Sequence, residues 1–267
     1  MSFHNIRLGS LEYSVSDSLE GSAHCFSTRL GGVSTGSLAS LNLGMHRGDD
    51  PANVAENFRR LGAVLGFSAE DLVLTRQTHS DIVRRVGRAD CAGIDHREYP
   101  ECDALITNEP GVTLMIFTAD CTPLLLHDPV TGAVGAAHAG WRGTAKAIGA
   151  KTVAAMVREF GCKPENIRAA IGPNIAQCHF ETGVDVPEAM LDTFGDAADP
   201  FIRHAGEKYY VNLKELNALS LRMAGVKRIE VSDACTVCQS DRFWSHRVTR
   251  GDRGSQGALI RCMEGSK

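Results

Sequence analysis

The sequence predicts a single α/β domain in which helices flank a mixed β-sheet core. Strand-like apolar runs alternate with capped amphipathic helices along the whole chain. We find no internal repeat, low-complexity tract or linker-like Pro/Ser run, so one domain over residues 1–267 is more economical than two. A chain of 267 residues is long enough to bury a proper core.

Composition argues against several classes of protein. The chain is 43% hydrophobic and 22% charged, with a net charge of −4, so it offers no basic field for nucleic acid or anionic membrane. The N-terminus does not resemble a signal peptide, and no apolar window is long enough to span a bilayer. Nine cysteines at irregular spacings indicate free or metal-bound thiols in a reducing compartment. We therefore expect a cytoplasmic protein with no nucleic-acid or membrane partner.

The first predicted helix follows the pair Asp50-Pro51, an N-cap and a first-turn proline. A strand is expected from Asp71 to Leu74, and a second capped helix from Thr144 to Gly161. The expected buried faces are Val54, Phe58, Leu61 and Leu65 in the first helix, and Ile148, Val153, Met156, Val157 and Phe160 in the second. Later predicted elements are a strand at 167–173, helices at 186–194 and 213–224, a strand at 228–232, and a polar, Arg-rich loop over a site at 238–257.

Residues 112–139 contain the most informative pattern. The apolar stretches VTLMIFTADCTPLLLH and AVGAAHA flank the turn DPVTG, which predicts a hairpin. If the turn lies near Val130 and Thr131, paired residue numbers sum to 260 or 261. His138 then lies opposite residues 122–123, and Cys121 lies at the same end of the hairpin.

His79, in the segment QTHSD after a short strand, has the right chemistry to join Cys121 and His138. Two imidazoles and one thiolate, with a vacant fourth position, are typical of a catalytic zinc site. Asp120 is then a candidate acceptor for an imidazole N–H, or a proton carrier. Taken singly, each residue also fits a plainer interpretation, as a buried small thiol or a hydrogen-bonded histidine.

The segment GWRGT (140–144) predicts an anion site, because free N–H groups at a helix start and the guanidinium of Arg142 both favour negative charge. The alternative is that the glycines only serve the turn and Arg142 lies in solvent. The C-x-x-C segment CTVC (235–238) has no second such pair, so a structural zinc held by four cysteines is not supported. Its surroundings also lack a thioredoxin-like context for a redox pair.

Several motifs together resemble the YfiH-like family over about residues 25–260, with residues 1–24 as an N-terminal extension of the same domain. They are STRLGGVS, SLNLGMHRGDDP, QTHS, CDALIT, TADCTPLLL, AAHAGWRGT, IGPNI with FETG, and CT with DRFWSHR. Members of this family have been named multicopper polyphenol oxidase (laccase-like), peptidoglycan editing factor and zinc-dependent purine nucleoside phosphorylase.

The resemblance implies a layered mixed β-sheet core with flanking helices, and Zn²⁺ held by His79, Cys121 and His138, with copper possible in the same site. It implies phosphorolysis of adenosine, inosine and S-methyl-5'-thioadenosine, with adenosine deaminase as a side activity. The partners would be a nucleoside and phosphate; no oligomeric state is predicted. Five further residues lie in matching motifs or beside them. Asp120 and Arg142 are expected to be catalytic with Cys121 and His138, and Arg29, Gln77 and Arg47 to bind substrate.

Other functions remain open from the sequence. Cys121 and His138 without metal would suit a cysteine hydrolase, for example one acting on peptidoglycan precursors. Copper in the same site would suit phenol oxidation. A partner-binding module without enzymatic activity is a further alternative, although no exposed amphipathic or basic stretch favours it.

Overall fold

A computed structural model describes residues 2–94 and 99–263 of the chain. Its strands are β1 (Phe3–Leu8), β2 (Leu11–Ser16), β3 (Ala23–Ser27), β4 (Leu72–Val73), β5 (Val83–Arg85), β6 (Ala104–Thr107), β7 (Thr113–Thr118), β8 (Thr122–His127), β9 (Val134–Ala139), β10 (Arg168–Ile171), β11 (Glu181–Thr182), β12 (Ile202–Ala205), β13 (Lys208–Val211), β14 (Arg228–Val231) and β15 (Gln256–Arg261). Its α-helices are α1 (Pro51–Leu65), α2 (Trp141–Ala145), α3 (Ile148–Phe160), α4 (Asp185–Phe194), α5 (Leu213–Met223) and α6 (His246–Thr249). No helix in these ranges is both long and apolar enough to cross a membrane.

The strands form two six-stranded mixed sheets and one small sheet. The first sheet has the order β1-β2-β3-β15-β7-β4, the second β14-β10-β8-β9-β6-β5, and the third β11-β13-β12. Pairing is antiparallel except where β4 meets β7, β5 meets β6 and β10 meets β14. The structure therefore confirms the predicted mixed α/β class.

The two large sheets pack face to face between layers of helices. Alternation along β8 shows why: Leu125 belongs to the apolar cluster between the sheets, whereas Leu124 and Leu126 belong to the cluster under α3 and α5. Helix α1 covers the outer face of the first sheet through Val54 and Phe58. This order of helix, sheet, sheet and helices is the predicted layered core.

The start of α1 agrees with the sequence. The side chain of Asp50 accepts a hydrogen bond from the backbone N–H of Ala52, Pro51 occupies the first turn, and Gly66 ends the helix at a positive φ of 72°. Val54, Phe58 and Leu61 are buried as expected, and Leu65 is half-buried.

The predicted helix from Thr144 to Gly161 is wrong in its first part. The segment forms two helices, α2 and α3, separated at Ala147, whose φ is +54°. The break leaves α2 against α4 and α5 while α3 packs along β9. Ile148, Val153 and Met156 are buried, but Val157 is 37% exposed.

The long apolar stretch before the DPVTG turn is two strands rather than one. β7 belongs to the first sheet and β8 to the second, and the chain crosses between the sheets at residues 119–121, where Asp120 has a φ of +83°. The β8–β9 hairpin itself is confirmed, with paired numbers that sum to 261 and Pro123 opposite His138. The predicted loop at 238–257 contains the short helix α6, and β15 begins at its end.

Candidate functional site

Cys121 lies where the chain passes from one large sheet to the other. It follows Asp120, a non-glycine residue held in the left-handed region, and it precedes β8 directly. The hairpin register then brings His138 of β9 beside this crossing. Such rarely adopted backbone conformations cluster at functional sites.

His79 completes the group that the sequence could not assemble by geometry. The ligand atoms of His79, Cys121 and His138 all lie within 4.8 Å of one another. The Cys121 Sγ is 3.8 Å from the His79 Nε2, and the two imidazole centroids are 5.0 Å apart. His79 also has a positive φ, of 59°. His138 is buried, Cys121 is half-buried and His79 is exposed.

A buried carboxylate that the sequence reasoning missed orients both histidines. Oδ1 of Asp103 is 2.7 Å from Nδ1 of His138. The same carboxylate accepts the backbone N–H groups of Thr78, His79 and Ser80, which fixes the loop that carries His79. The signal was present, because Asp103 is an acidic residue in the apolar segment CDALIT immediately before β6.

Gly140 packs against the other side of the group. A Cβ atom built there would lie 2.6 Å from the His79 Cδ2 and 3.2 Å from the Cys121 Sγ. Real Cβ atoms essentially never make contacts as short as 2.6 Å. Gly140 is therefore required for His79 to lie this close to the end of β9.

The three side chains shift one another's protonation. Burial by itself would raise the pKa of the Cys121 thiol, but the charge and hydrogen bonds of His138 and His79 lower it to about 6. Burial disfavours the charged form of His138, yet the Cys121 and Asp103 side chains raise its pKa to about 9. Despite burial, hydrogen bonds from His138 and Ser80 hold the pKa of Asp103 well below its usual range. At neutral pH these shifts favour a thiolate on Cys121 beside a protonated imidazole on His138 when no metal is bound.

No imidazole among the described residues donates a hydrogen bond to Asp120, and the structure corrects that expectation. Its Oδ1 accepts from the Thr236 hydroxyl at 2.5 Å, and its Oδ2 accepts from the Ser245 hydroxyl and the Arg247 backbone N–H. Asp103 occupies the position expected for Asp120. The carboxylate of Asp120 instead fastens the C-terminal segment 236–247 to the turn that carries Cys121.

A cavity of about 800 Å³ opens beside the three candidate ligands. Its half-buried aromatic and thioether walls are Phe117, Tyr99 and Met45. Its remaining lining residues include the cationic group Arg47, Arg76 and Arg253. The size and the mixture of apolar walls with a few polar groups are typical of a small-molecule site.

Two of these arginines make the cavity attractive to an anion. Arg253 donates from Nη1 to the Gly254 carbonyl and the Ser255 hydroxyl, but its buried Nε has no hydrogen-bond partner among the described residues. Burial, and then the charge of Arg47, lower the pKa of Arg253 to about 10, so the Arg253 guanidinium stays cationic at neutral pH. The sequence reasoning placed a loop over a site at 238–257 but did not single out Arg253.

The other predicted substrate residues have different positions. Arg47 and Gln77 line the cavity, although both ends of the Gln77 amide bind the backbone of Phe117. Arg29 does not line it, because its guanidinium binds the carbonyls of Ala39 and Ser240 and stacks over Trp244. The side chain of Arg142 is exposed and stacks over Trp141, away from the cavity wall.

The donor set fits a metal ion. Asp103 binds Nδ1 of His138, so Nε2 of that ring is the nitrogen left for coordination. Two imidazole nitrogens and one thiolate suit zinc, and they also suit a single copper. Because one side of the group faces the cavity, a ligand from solution can reach it.

Several known proteins are similar to this chain in both sequence and fold. The chain is 43% identical over 240 residues to a purine nucleoside phosphorylase of Deinococcus radiodurans, with 89% of this chain and 88% of that protein covered. It is 36% identical to the purine nucleoside phosphorylase YfiH of Escherichia coli, covering 85% and 89% of the two chains. The crystal structure of YlmD from Geobacillus stearothermophilus superposes with a TM-score of 0.92 at 35% identity, covering 97% and 98%.

A family model described as multi-copper polyphenol oxidoreductase laccase matches residues 23–263. The fold, the matched motifs and the relatives agree with one another, and the chain belongs to this YfiH-like family.

Proposed function

We propose that the protein is a zinc-dependent purine nucleoside phosphorylase. The observation that carries the proposal is the group His79, Cys121 and His138 at the wall of a nucleoside-sized cavity that also holds Arg47 and Arg253. The names of the bacterial relatives support this reaction class, and those relatives match along nearly their whole length. The proposed substrates are phosphate with adenosine, inosine or S-methyl-5'-thioadenosine.

In phosphorolysis a phosphate oxygen attacks C1' of the ribose while the bond from C1' to the purine nitrogen breaks. The bonding electrons leave with the purine, which takes up a proton, and ribose 1-phosphate is the second product. We assign phosphate binding to Arg47 and Arg253, since both residues line the cavity and a guanidinium group can bind phosphate through charge-assisted hydrogen bonds. This assignment replaces the one to Arg142, which does not line the cavity.

The purine is expected to pack against the aromatic wall formed by Phe117 and Tyr99. His79, Cys121 and His138 would hold the zinc ion, and Asp103 would keep His138 in the tautomer that coordinates through Nε2. When bound, zinc would supply Lewis-acid polarisation of the substrate. Adenosine deamination would be a side activity of the same cavity, without the usual zinc-deaminase sequence signature.

The test is to incubate the purified protein with inosine and phosphate and to separate the products by chromatography. We expect hypoxanthine and ribose 1-phosphate in equal amounts. His79→Ala, Cys121→Ala and His138→Ala should each lose zinc and activity together. Zinc-loaded protein that forms no product from any of the three nucleosides would refute the proposal.

A cysteine hydrolase is the second candidate, because hydrogen bonds link Cys121 to His138 and His138 to Asp103. The three could serve as nucleophile, base and orienting acid. Chelation separates the two functions. A metal-free hydrolase keeps its activity in a strong chelator and loses it on thiol alkylation, whereas the phosphorylase should lose activity in the chelator and regain it with added zinc.

Phenol oxidation by several coppers has less support from the arrangement of ligands. The described residues contain two groups able to hold a metal, and together these include three histidines. A single copper bound by His79, Cys121 and His138 is the form that this donor set allows. Elemental analysis of protein made without added copper distinguishes this form, since we expect zinc.

A further inference from the structure

A second group of potential ligands lies outside the cavity, on the loop that follows β10 and on the segment that follows β14. Cys178 and His179 come from the first segment, and Cys235 and Cys238 from the second. Their four ligand atoms all lie within 4.8 Å of one another. The sequence contains no second C-x-x-C pair that could complete a zinc site with CTVC; in the structure the partner is the adjacent pair Cys178-His179.

The distances within this group match the edges of a zinc tetrahedron. Ligands at the usual zinc distances stand about 3.8 Å apart for two sulfurs and about 3.6 Å apart for a sulfur and a nitrogen. The Cys178 Sγ is 3.9 Å from that of Cys235 and 3.7 Å from that of Cys238. The His179 Nδ1 is 3.2, 3.8 and 3.4 Å from the sulfurs of Cys178, Cys235 and Cys238.

Neighbouring groups support a bound ion with three thiolates. The backbone N–H of Ala176 donates to the Cys235 Sγ at 3.4 Å, as expected for a metal-bound thiolate. Lys214, a buried cation that interacts electrostatically with Cys235, donates to the carbonyls of Ser232 and Ala234. Three thiolates and one zinc ion carry a net charge of −1, which this buried ammonium offsets.

We propose that Cys178, His179, Cys235 and Cys238 form a second, structural zinc site. Four protein ligands fill the coordination sphere, whereas the site at the cavity has three. A disulfide explains the group less well. It would use two of the three thiols and would not account for the third thiol and the imidazole, whose ligand atoms lie equally close. Cys178 and Cys238 are exposed, so an ion can reach the site from solvent.

The second site joins two segments that both contact the turn before Cys121. On one side, Ile175 donates its N–H to the Asp120 carbonyl. On the other, Thr236 donates its hydroxyl to the Asp120 carboxylate, and Arg247 connects that carboxylate with the His179 carbonyl. A zinc ion here would therefore join the two segments that pack against Asp120, and so would stabilise the turn that carries the cavity ligand Cys121. The proposal does not depend on the phosphorylase function, since metal content is read without any assay of activity.

The experiment counts zinc in the whole purified chain by elemental analysis. Wild-type protein should hold two zinc ions per chain, and His79→Ala should hold one. Cys178→Ser and Cys238→Ser should each also hold one, and His79→Ala combined with Cys238→Ser should hold almost none. Cys91→Ser is the matched control and should keep two, because among the described residues the Cys91 thiol donates hydrogen bonds to the backbone carbonyls of Asp71 and Gly87 and lies outside both groups of candidate ligands.

Cobalt provides a second measurement that does not need the serine variants to fold as well as the wild type. Metal-free His79→Ala protein should bind one Co²⁺ with the absorption of a tetrahedral thiolate site. Wild-type protein with a single zinc, together with metal-free His79→Ala protein that gives no such absorption, would overturn the proposal. So would a disulfide among Cys178, Cys235 and Cys238 in freshly purified protein, or copper instead of zinc in this group.

Discussion

The carboxylate of Asp103 binds the Nδ1 of His138 at 2.7 Å, and neither side chain is exposed to solvent by more than a few per cent. The same carboxylate accepts three backbone N–H groups of the loop that carries His79. One buried acid thus connects two candidate ligands that are 59 residues apart in sequence, as the positions of His79 and His138 show. Its removal should disturb both.

We expect Asp103→Asn to weaken zinc binding at the cavity site about 10- to 100-fold, the usual effect of losing a partner that orients a metal-bound histidine. Competition with a chromophoric chelator measures the affinity. Glu101→Gln is the control. Glu101 lies two residues before Asp103, forms a surface ion pair with Arg76 and touches neither histidine in the described contacts. Equal zinc affinity in Asp103→Asn and wild type would contradict the orienting role.

Gly140→Ala should remove metal and activity while the protein stays folded. The added methyl group would collide with the His79 ring at 2.6 Å, and the φ of −65° at residue 140 is one that alanine adopts readily. Zinc content and circular dichroism report the two outcomes separately. Gly143→Ala, in the same motif, is the matched control, since its new Cβ would meet nothing closer than 3.4 Å. If both variants keep their zinc, the close approach of Gly140 does not matter.

The hairpin register is the part of the site that the sequence alone predicts. Paired numbers that sum to 261 bring Cys121 and His138 together, because strand pairing is a local rule that the turn position fixes. His79 and Asp103 join them through the packing of a loop against β6, which no periodicity encodes. The same limit applies to α2 and α3, where the left-handed Ala147 interrupts a pattern that reads as one helix.

Arg142 and Arg253 show a second reason why the sequence alone does not predict the whole site. Arg142 lies in a motif typical of an anion site, but its side chain stacks over Trp141 in solvent. Arg253 lies in a loop without a recognisable signature and reaches the cavity only because β15 enters the first sheet beside β7. A motif fixes the backbone that could bind an anion, whereas the tertiary fold decides which side chains face the cavity.

In metal-free protein, Cys121 should react with iodoacetamide at a rate that rises with pH through about 6, because the thiolate is the reactive form and His138 lowers the pKa of this thiol. A free thiol has its midpoint at about 8.5. Peptide mass spectrometry assigns the reaction to individual cysteines. Cys91, whose pKa is raised by burial, is the internal control and should react only at higher pH.

The outcome in His138→Gln tests the cause of the shift. Without the imidazolium, the midpoint for Cys121 should move above that of the wild type, and saturating zinc should protect the wild-type thiol at every pH. A midpoint for Cys121 near that of a free thiol in metal-free wild-type protein would contradict the thiolate–imidazolium pair.

Arg253→Ala should raise the KM for phosphate about 10- to 100-fold, as expected when a charge-assisted hydrogen bond of about 1.5–3 kcal/mol is lost. Arg47→Ala should act in the same direction, with a smaller effect because Arg47 is exposed at the cavity wall. Arg142→Ala, at the position that the sequence motif favours, should change the KM for phosphate less than either. Initial rates measured at varied phosphate and saturating inosine separate the three variants. If Arg142→Ala raises the KM for phosphate more than Arg253→Ala does, the phosphate site lies at the start of α2 and the assignment to the cavity arginines is wrong.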